Sequence, residues 1–228
     1  MSTISHHLQD ILTTIQSTKA NGNFQQQVNL LAVSKAQPAQ AVREAFMAGQ
    51  TMFGENYLQE ALEKQTELAD LAIEWHFIGP IQSNKTQLIA QNFSWVHGID
   101  RLKIAQRLND ARSANLAPLQ VCIQVNIGDE ASKSGVTANE LEPLATAIMN
   151  LPHLKLRGLM AIPPPTHDKN VQRAQFKQVR ECYDLLLAKG FDLDTLSVGM
   201  SDDYTIAIEQ GATIVRIGSA LFGARKYS

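Results

Sequence analysis

A lysine stands where an apolar run ends. In "NLLAVSKAQPAQAVREAF", residues 29–46, the run Leu30–Val33 stops at Ser34-Lys35, and Pro38 opens a helical pattern. A lysine in that place is either a solvated strand cap or a reactive amine. At its ordinary pKa of about 10.4 an amine is mostly protonated at neutral pH. Burial or a neighbouring cation lowers that pKa and frees a nucleophile toward carbonyl carbon. Two later stretches supply complementary groups. "TLSVGMSDDY" carries Ser197 and Ser201; "TIVRIGSALFG" carries Arg216, Gly218 and Ser219. Hydroxyls, a glycine that lets backbone approach closely and the N–H groups of a helix start all suit a phosphate. Taken alone, a Gly-Ser turn merely turns the chain. Asp202 and Asp203 would repel a phosphate, so they are expected on the solvent side of the helix start, where the dipole favours them.

Other reactive side chains have plainer readings beside the chemical one. Lys85 in "QSNK" and Lys133 in "SKSG" rival Lys35, but a loop lysine is solvated by default. His97 and Asp100 in "HGID" make a possible catalytic pair, yet Asp100 suits a helix N-cap better. His76 is equally a core histidine. Glu55 and Glu60 show no paired-carboxylate logic, and Tyr57 and Tyr204 are candidates for lining a site. Cys122 and Cys182 have no metal-ligand spacing and form no disulfide framework, which reads as buried free thiols in a reducing compartment.

The elements that position these groups follow from periodicity. Strand patterns fall near 28–34, 51–54, 73–78, 93–98, 119–127, 154–162, 195–200 and 214–219, with helical patterns between them. One extra helix, near 3–19, precedes the first strand. "LQVCIQVNI" alternates with period two, whereas "QPAQAVREAFMAG" and "IDRLKIAQRLNDA" place apolar residues at helical spacing. Pro143 leaves the start of the sixth helix uncertain. Alternating β and α units argue for a parallel sheet under helices, and eight units fit a single (β/α)8 TIM barrel with an extra N-terminal helix over residues 1–228. An open doubly wound sheet is the alternative, without the G-x-G-x-x-G of its dinucleotide-binding form.

In a barrel, alternation also sorts the side chains. Val121, Ile123 and Val125 face the helices, which turns Gln124 and Asn126 inward. By the same count His76, Ser197, Ser201, Arg216 and Gly218 point inward. The first strand is apolar on both faces, so alternation does not place Lys35. A polar interior is either a self-satisfied core or a ligand site, and ligand sites of this fold lie at the C-terminal strand ends.

Composition narrows the partners. Hydrophobic residues make up 44% and charged residues 18%, with a formal net charge of -2. No basic surface speaks for nucleic acid and no long apolar run for a membrane. The N-terminus lacks a secretory pattern, so a cytoplasmic location is expected. With no obvious apolar appendage on the barrel, a monomer is expected.

Eight landmarks then occur in order: "LLAVSK", "FGENYLQE", "WHFIGPIQSNK", "VHGIDR", "SKSG", "LRGLMAIP", "GMSDD" and "VRIGSALFG". From about residue 28 onward the chain resembles the pyridoxal-phosphate-binding homeostasis proteins. The resemblance implies a barrel like the N-terminal domain of alanine racemase, with pyridoxal 5'-phosphate (PLP) held on Lys35 as a Schiff base. It implies Asn56 on the cofactor face, Met160 near the ring and Ser201, Gly218 and Ser219 at the phosphate. Arg216 is implied beside the pyridine nitrogen, where a cation disfavours ring protonation and weakens the electron sink. Ser219 stands where many members have Thr, and Ala36-Gln37 where Thr is common. The implied role is a carrier or buffer in PLP (vitamin B6) homeostasis without strong turnover, with PLP-dependent apo-enzymes as recipients. The alternative is a PLP-dependent racemase-like enzyme. That reading expects a second, β-rich domain and a partner tyrosine, and the sequence offers no recognisable second base before Ser228. A sugar-phosphate enzyme of the same barrel type leaves the landmarks around Lys35 unexplained. Lys133 and Lys85 stay open as secondary PLP sites.

Overall fold

The computed structural model describes residues 2–127 and 134–223. Eight strands form the expected barrel: β1 (Asn29–Val33), β2 (Met52–Glu55), β3 (Glu74–Phe77), β4 (Trp95–Ile99), β5 (Leu119–Gln124), β6 (Leu154–Met160), β7 (Thr195–Ser197) and β8 (Ile214–Ile217). All neighbours run parallel, and β8 closes onto β1 with Leu31 opposite Arg216. The connecting helices are α2 (Ala39–Met47), α3 (Leu58–Glu67), α4 (Thr86–Asn92), α5 (Leu102–Ala111), α6 (Ala138–Met149), α7 (Lys169–Ala188) and α8 (Tyr204–Glu209). A short α9 (Ser219–Phe222) follows β8, and α1 (Thr3–Gly22) precedes the barrel.

The period-two sorting holds strand by strand. Leu30, Ala32, Trp75, Phe77, Val121, Ile123, Leu196, Val198, Val215 and Ile217 join the large core beneath the helices. Inside the barrel lie two small apolar clusters, Leu31 with Ile78 and Ile214, and Trp95 with Cys122 and Met160. The interior also holds buried His76, His97, Ser197 and Arg216. Thus Leu31 and Val33 face inward on β1, and Lys35 shares their parity.

Local signals explain the boundaries. Leu8, Ile11 and Ile15 form the buried stripe of α1, each contributing roughly 1.5–3 kcal/mol of apolar burial. Helix α6 starts on a reciprocal capping box between Thr137 and Glu140, which outweighs the Pro143 inside it. Asp100 does not cap α5. The residue before that helix is Arg101, and the Asp100 carboxylate pairs with its guanidinium at 2.7 Å. Gly158 lets β6 and β7 approach, because a Cβ there would stand 1.7 Å from the Thr195 carbonyl oxygen, and it lies just after a register shift between β5 and β6. Among the described residues no helix is long and apolar enough to cross a membrane, and no three side chains group as metal ligands.

Candidate functional site

Lys35 lies half-buried in the turn directly after β1. The residues on either side of it are tied to a buried cluster. Lys64, on α3, donates from Nζ to the Ser34 carbonyl at 2.6 Å, to Glu55 Oε1 at 2.8 Å and to Glu60 Oε1 at 2.5 Å. Ser34 Oγ donates to Glu55 Oε1 at 2.7 Å, and the Ala36 N–H donates to Glu60 Oε1 at 2.7 Å. Ala36 has φ 57°, a left-handed conformation that disfavours a residue with a Cβ. The Glu60 bond holds it there. Burial pushes the Glu55 carboxyl up, against the opposing pull of Lys64 and Ser34. Glu55 and Glu60 therefore do have a shared logic, through a lysine that the sequence reading passed over. The i,i+4 spacing of Glu60 and Lys64 was its one local signal.

Next to this turn is the end of β8. Gly218 packs against β1, where a Cβ would come 3.1 Å from the Val33 carbonyl oxygen. Ser219 Oγ donates to Ser201 Oγ at 3.1 Å, and Ser201 Oγ accepts from the Ala220 N–H at 3.4 Å. The two serines expected at an anion thus meet, although they come from separate strand ends. Asp202 is exposed, as expected, but Asp203 is not turned to solvent. Its Oδ1 accepts from the Met200 N–H at 2.6 Å, and burial raises its carboxyl pKa. Tying its own turn draws it inward.

Beneath the mouth, Arg216 is nearly fully buried. Its NH1 donates to the Ser197 carbonyl at 2.5 Å and to Ser197 Oγ at 2.9 Å, and NH2 donates to the Ala161 carbonyl at 2.9 Å. Burial brings its pKa down to about 10, so it remains a cation at neutral pH. Ser197 Oγ also meets His97 Nδ1 at 2.9 Å, His97 Nε2 meets His76 Nδ1 at 2.9 Å, and His76 Nε2 meets Glu74 Oε1 at 2.9 Å. His97 is therefore no partner of Asp100, and His76 is a satisfied interior histidine.

A cavity of about 340 Å³ opens at the same end of the barrel, lined by Asn56, Gly79, Gln124, Asn126, Ser134 and Ile162 among others. The Asn56 Oδ1 is buried and accepts no hydrogen bond from the described residues. Met160 does not line this cavity; it is buried against Trp95 and Cys122. Lys85 is exposed in a short 3-10 turn, and Tyr57 is exposed. Lys133 lies outside the described residues. Cys122 is buried, Cys182 only half-buried, and both are free thiols.

Residues 7–226 match the alanine racemase N-terminal domain family. A pyridoxal phosphate homeostasis protein of Pseudomonas aeruginosa is 59% identical over 228 residues, covering 100% of this chain and 98% of its own. One of Escherichia coli K12 is 50% identical over 232 residues, covering 100% and 99%. This chain belongs to the pyridoxal phosphate homeostasis family. PipY of Synechococcus elongatus PCC7942, solved with PLP bound, is 34% identical at a TM-score of 0.85, over 96% of this chain and 100% of that one. Alanine racemase of Corynebacterium glutamicum shares the fold at 18% identity and a TM-score of 0.70, over 97% of this chain and 60% of that one.

Within this family frame the residues expected at the cofactor fall into two groups. Lys35, Ser201, Arg216, Gly218 and Ser219 converge on the adjoining ends of β1, β7 and β8. Asn56 lies across the mouth on the cavity wall, and Met160 belongs to neither group, being buried against Trp95 and Cys122. What the sequence reading missed is the support behind them: Lys64 under Lys35, and His97 and Glu74 behind Arg216. Apart from Glu74 with His76, which share β3, those contacts join different elements, α3 to the ends of β1 and β2 and β3 through β4 and β7 to β8, where no within-strand pattern reports them.

Proposed function

We propose that this chain binds PLP on Lys35 as a Schiff base and serves PLP homeostasis as a carrier or buffer. The observation that carries the reading is that β1 and β8 are neighbours. Their pairing sets the lysine turn beside the Gly218-Ser219 turn at one mouth of the barrel. An aldehyde and a phosphate on one small molecule need that pair of partners.

The residues fit the group. Ser201 and Ser219 offer two adjacent hydroxyls to phosphate oxygens, with Gly218 leaving backbone room. The Asn56 amide oxygen lacks a donor among the described residues, and a ring hydroxyl supplies one. Met160, packed on Trp95 and Cys122, would belong to the apolar layer beneath the ring. Arg216 faces the pyridine nitrogen and offers only donors. A guanidinium carries five N–H groups, more than its three described bonds use. Lys35 would hold the aldehyde carbon through its Nζ, with the aldehyde oxygen released as water. When bound, PLP supplies an electron sink. A cation at its nitrogen opposes ring protonation and weakens that sink, which suits storage over broad amino-acid chemistry.

Residues 1–228 act as one PLP-binding domain. A monomer suffices, because every group named comes from one chain. Free Cys122 and Cys182 fit a reducing, cytoplasmic setting. The recipients are PLP-dependent apo-enzymes. The test is borohydride reduction of the PLP-loaded protein followed by peptide mass spectrometry. Fixation on Lys35, loss of the absorbance band in Lys35→Ala and negligible racemase turnover support the reading. A retained band in Lys35→Ala, or turnover at ordinary enzyme rates, rejects it.

A further inference from the structure

We propose that Glu74, at the opposite mouth of the barrel, is a positioning residue for Arg216, acting through His76, His97 and Ser197. The proposal rests on the reading of Arg216 as the ring-nitrogen partner.

Four contacts of 2.9 Å join these five residues across the barrel, from β3 through β4 and β7 to β8. The two ends are chemically one-sided. An ionised carboxylate only accepts, and a guanidinium only donates. Each neutral imidazole and the hydroxyl between them has one proton to give. A single arrangement then satisfies every contact. Arg216 NH1 donates to Ser197 Oγ, and Ser197 Oγ donates to His97 Nδ1. His97 Nε2 donates to His76 Nδ1, and His76 Nε2 donates to Glu74 Oε1. Both rings are therefore neutral and carry their proton on Nε2.

The surroundings hold this arrangement. His76 stacks on Trp95 with ring centroids 5.2 Å apart and planes 8° apart, which fixes its plane. The Arg157 guanidinium lies 4.7 Å over the Trp95 ring and pairs with Asp194, so a cation also faces Glu74 at that mouth. The bond from His76 keeps the half-exposed Glu74 carboxyl low and ionised. Burial opposes an extra proton on either ring, and the charge of Arg216 opposes one on His97.

Direction is what reaches the cofactor site. With its proton turned to His97, Ser197 Oγ presents lone pairs to Arg216. With the rings reversed, His97 Nδ1–H would occupy that position. The Ser197 proton would then be left without an acceptor among the described residues, or turned donor against donor at the guanidinium. A buried donor left unmet is disfavoured. Glu74 thus selects the tautomers, and the tautomers decide whether Ser197 Oγ adds a well-satisfied third anchor to the two carbonyls that hold Arg216.

The ring nitrogens of His76 and His97 report this directly in long-range proton–nitrogen NMR of the PLP-free protein. Both rings are expected neutral with Nε2–H. In Glu74→Leu, His76 loses its single tautomer and PLP binds about fivefold more weakly, the worth of roughly one net hydrogen bond. In Glu74→Gln the amide oxygen still accepts, so tautomers and affinity stay as in the parent. A protonated or Nδ1–H His97 in the parent protein overturns the proposal without any variant. The two readings fail separately. Absence of PLP on Lys35 rejects the cofactor assignment, whereas PLP on Lys35 with unchanged affinity and tautomers in Glu74→Leu rejects this one.

Discussion

Replacing Lys64 with Met should unsettle the fold and the Lys35 turn together. Lys64 is almost wholly buried and is the described cation between Glu55, which has no exposure, and Glu60, which keeps 29%. Removing it leaves the Glu55 carboxylate without its cation, at a cost of about 3–5 kcal/mol for a broken buried pair. The Glu60 pair is partly exposed and adds about 1 kcal/mol at most. At this chain length the sum corresponds to a fall of roughly 6–24 °C in Tm. Urea unfolding of the PLP-free protein measures it. The cost should also depend on pH. Without Lys64, the pull that holds the Glu55 pKa down is gone, so its folded pKa rises further. A raised acid binds protons in the folded state before the unfolded one, so the variant loses stability as pH rises from the ordinary carboxylate range. The difference from the parent should therefore be smaller at pH 5 than at pH 8. Adding Glu55→Gln should recover much of the loss at pH 8. With the Lys64 bond gone, the Ser34 carbonyl keeps the Gln37 N–H at 3.1 Å as its described donor, and loading of PLP on the less firmly held Lys35 turn should also slow. A loss under about 1 kcal/mol with no pH dependence would refute the reasoning, because it would mean that Lys64 and Glu55 are not a buried ion pair.

Removing both hydroxyls with Ser201→Ala and Ser219→Ala should weaken PLP binding at least tenfold, taking about 1 kcal/mol or more for each bond to a charged phosphate. Binding of pyridoxal, which lacks the phosphate, should hardly change; an equal loss for both ligands in absorbance titrations would remove the phosphate assignment. Stability should fall as pH drops from 7 to 6. His76 and His97 have folded pKa values depressed by burial, so the unfolded state takes up protons first, near pH 6.5. Each imidazole then contributes a slope of up to about 1.4 kcal/mol per pH unit below that point. Denaturant titrations across this range check the sign, and a flat profile would show that the rings are not buried neutral.

The fold was legible because parallel barrels write themselves within single strands. Alternation in "LQVCIQVNI" and "TIVRIG" sorted core from interior, and the same count put His76, Ser197 and Arg216 inside. Where local evidence was thin, it misled. Asp100 looked like a helix cap but bonds its neighbour Arg101, and Asp203 looked solvent-facing but ties its own turn. Larger gaps lay between strands. Glu55 and Lys64 are nine residues apart and meet only when α3 packs on β2, and His97 and Ser197 are a hundred apart and meet only across the folded barrel. Lys35 could be placed at the end of a strand but not on a face, until the packing of Leu31 with Ile214 showed which parity points inward.

The barrel interior is divided in a way that stability alone does not require. Leu31, Ile78 and Ile214 fill part of it, and Trp95, Cys122 and Met160 another part. Between them runs the chain from Glu74 to Arg216. Hydrophobic groups of similar volume would fill that space at equal or lower free energy, since well-packed apolar replacements of buried polar groups are commonly neutral or stabilising. Breaking any one link instead leaves a buried donor or acceptor unmet, at about 1–3 kcal/mol. The polar chain is therefore explained by what it ends on. Arg216 must stay charged and fixed inside a barrel where no carboxylate forms an ion pair with it among the described residues. Carbonyls of Ser197 and Ala161 hold its nitrogens, and Ser197 Oγ joins them with its own O–H turned away to an acceptor. His97 Nδ1 is that acceptor, His97 Nε2–H donates in turn to His76, and Glu74 accepts from His76 where solvent begins.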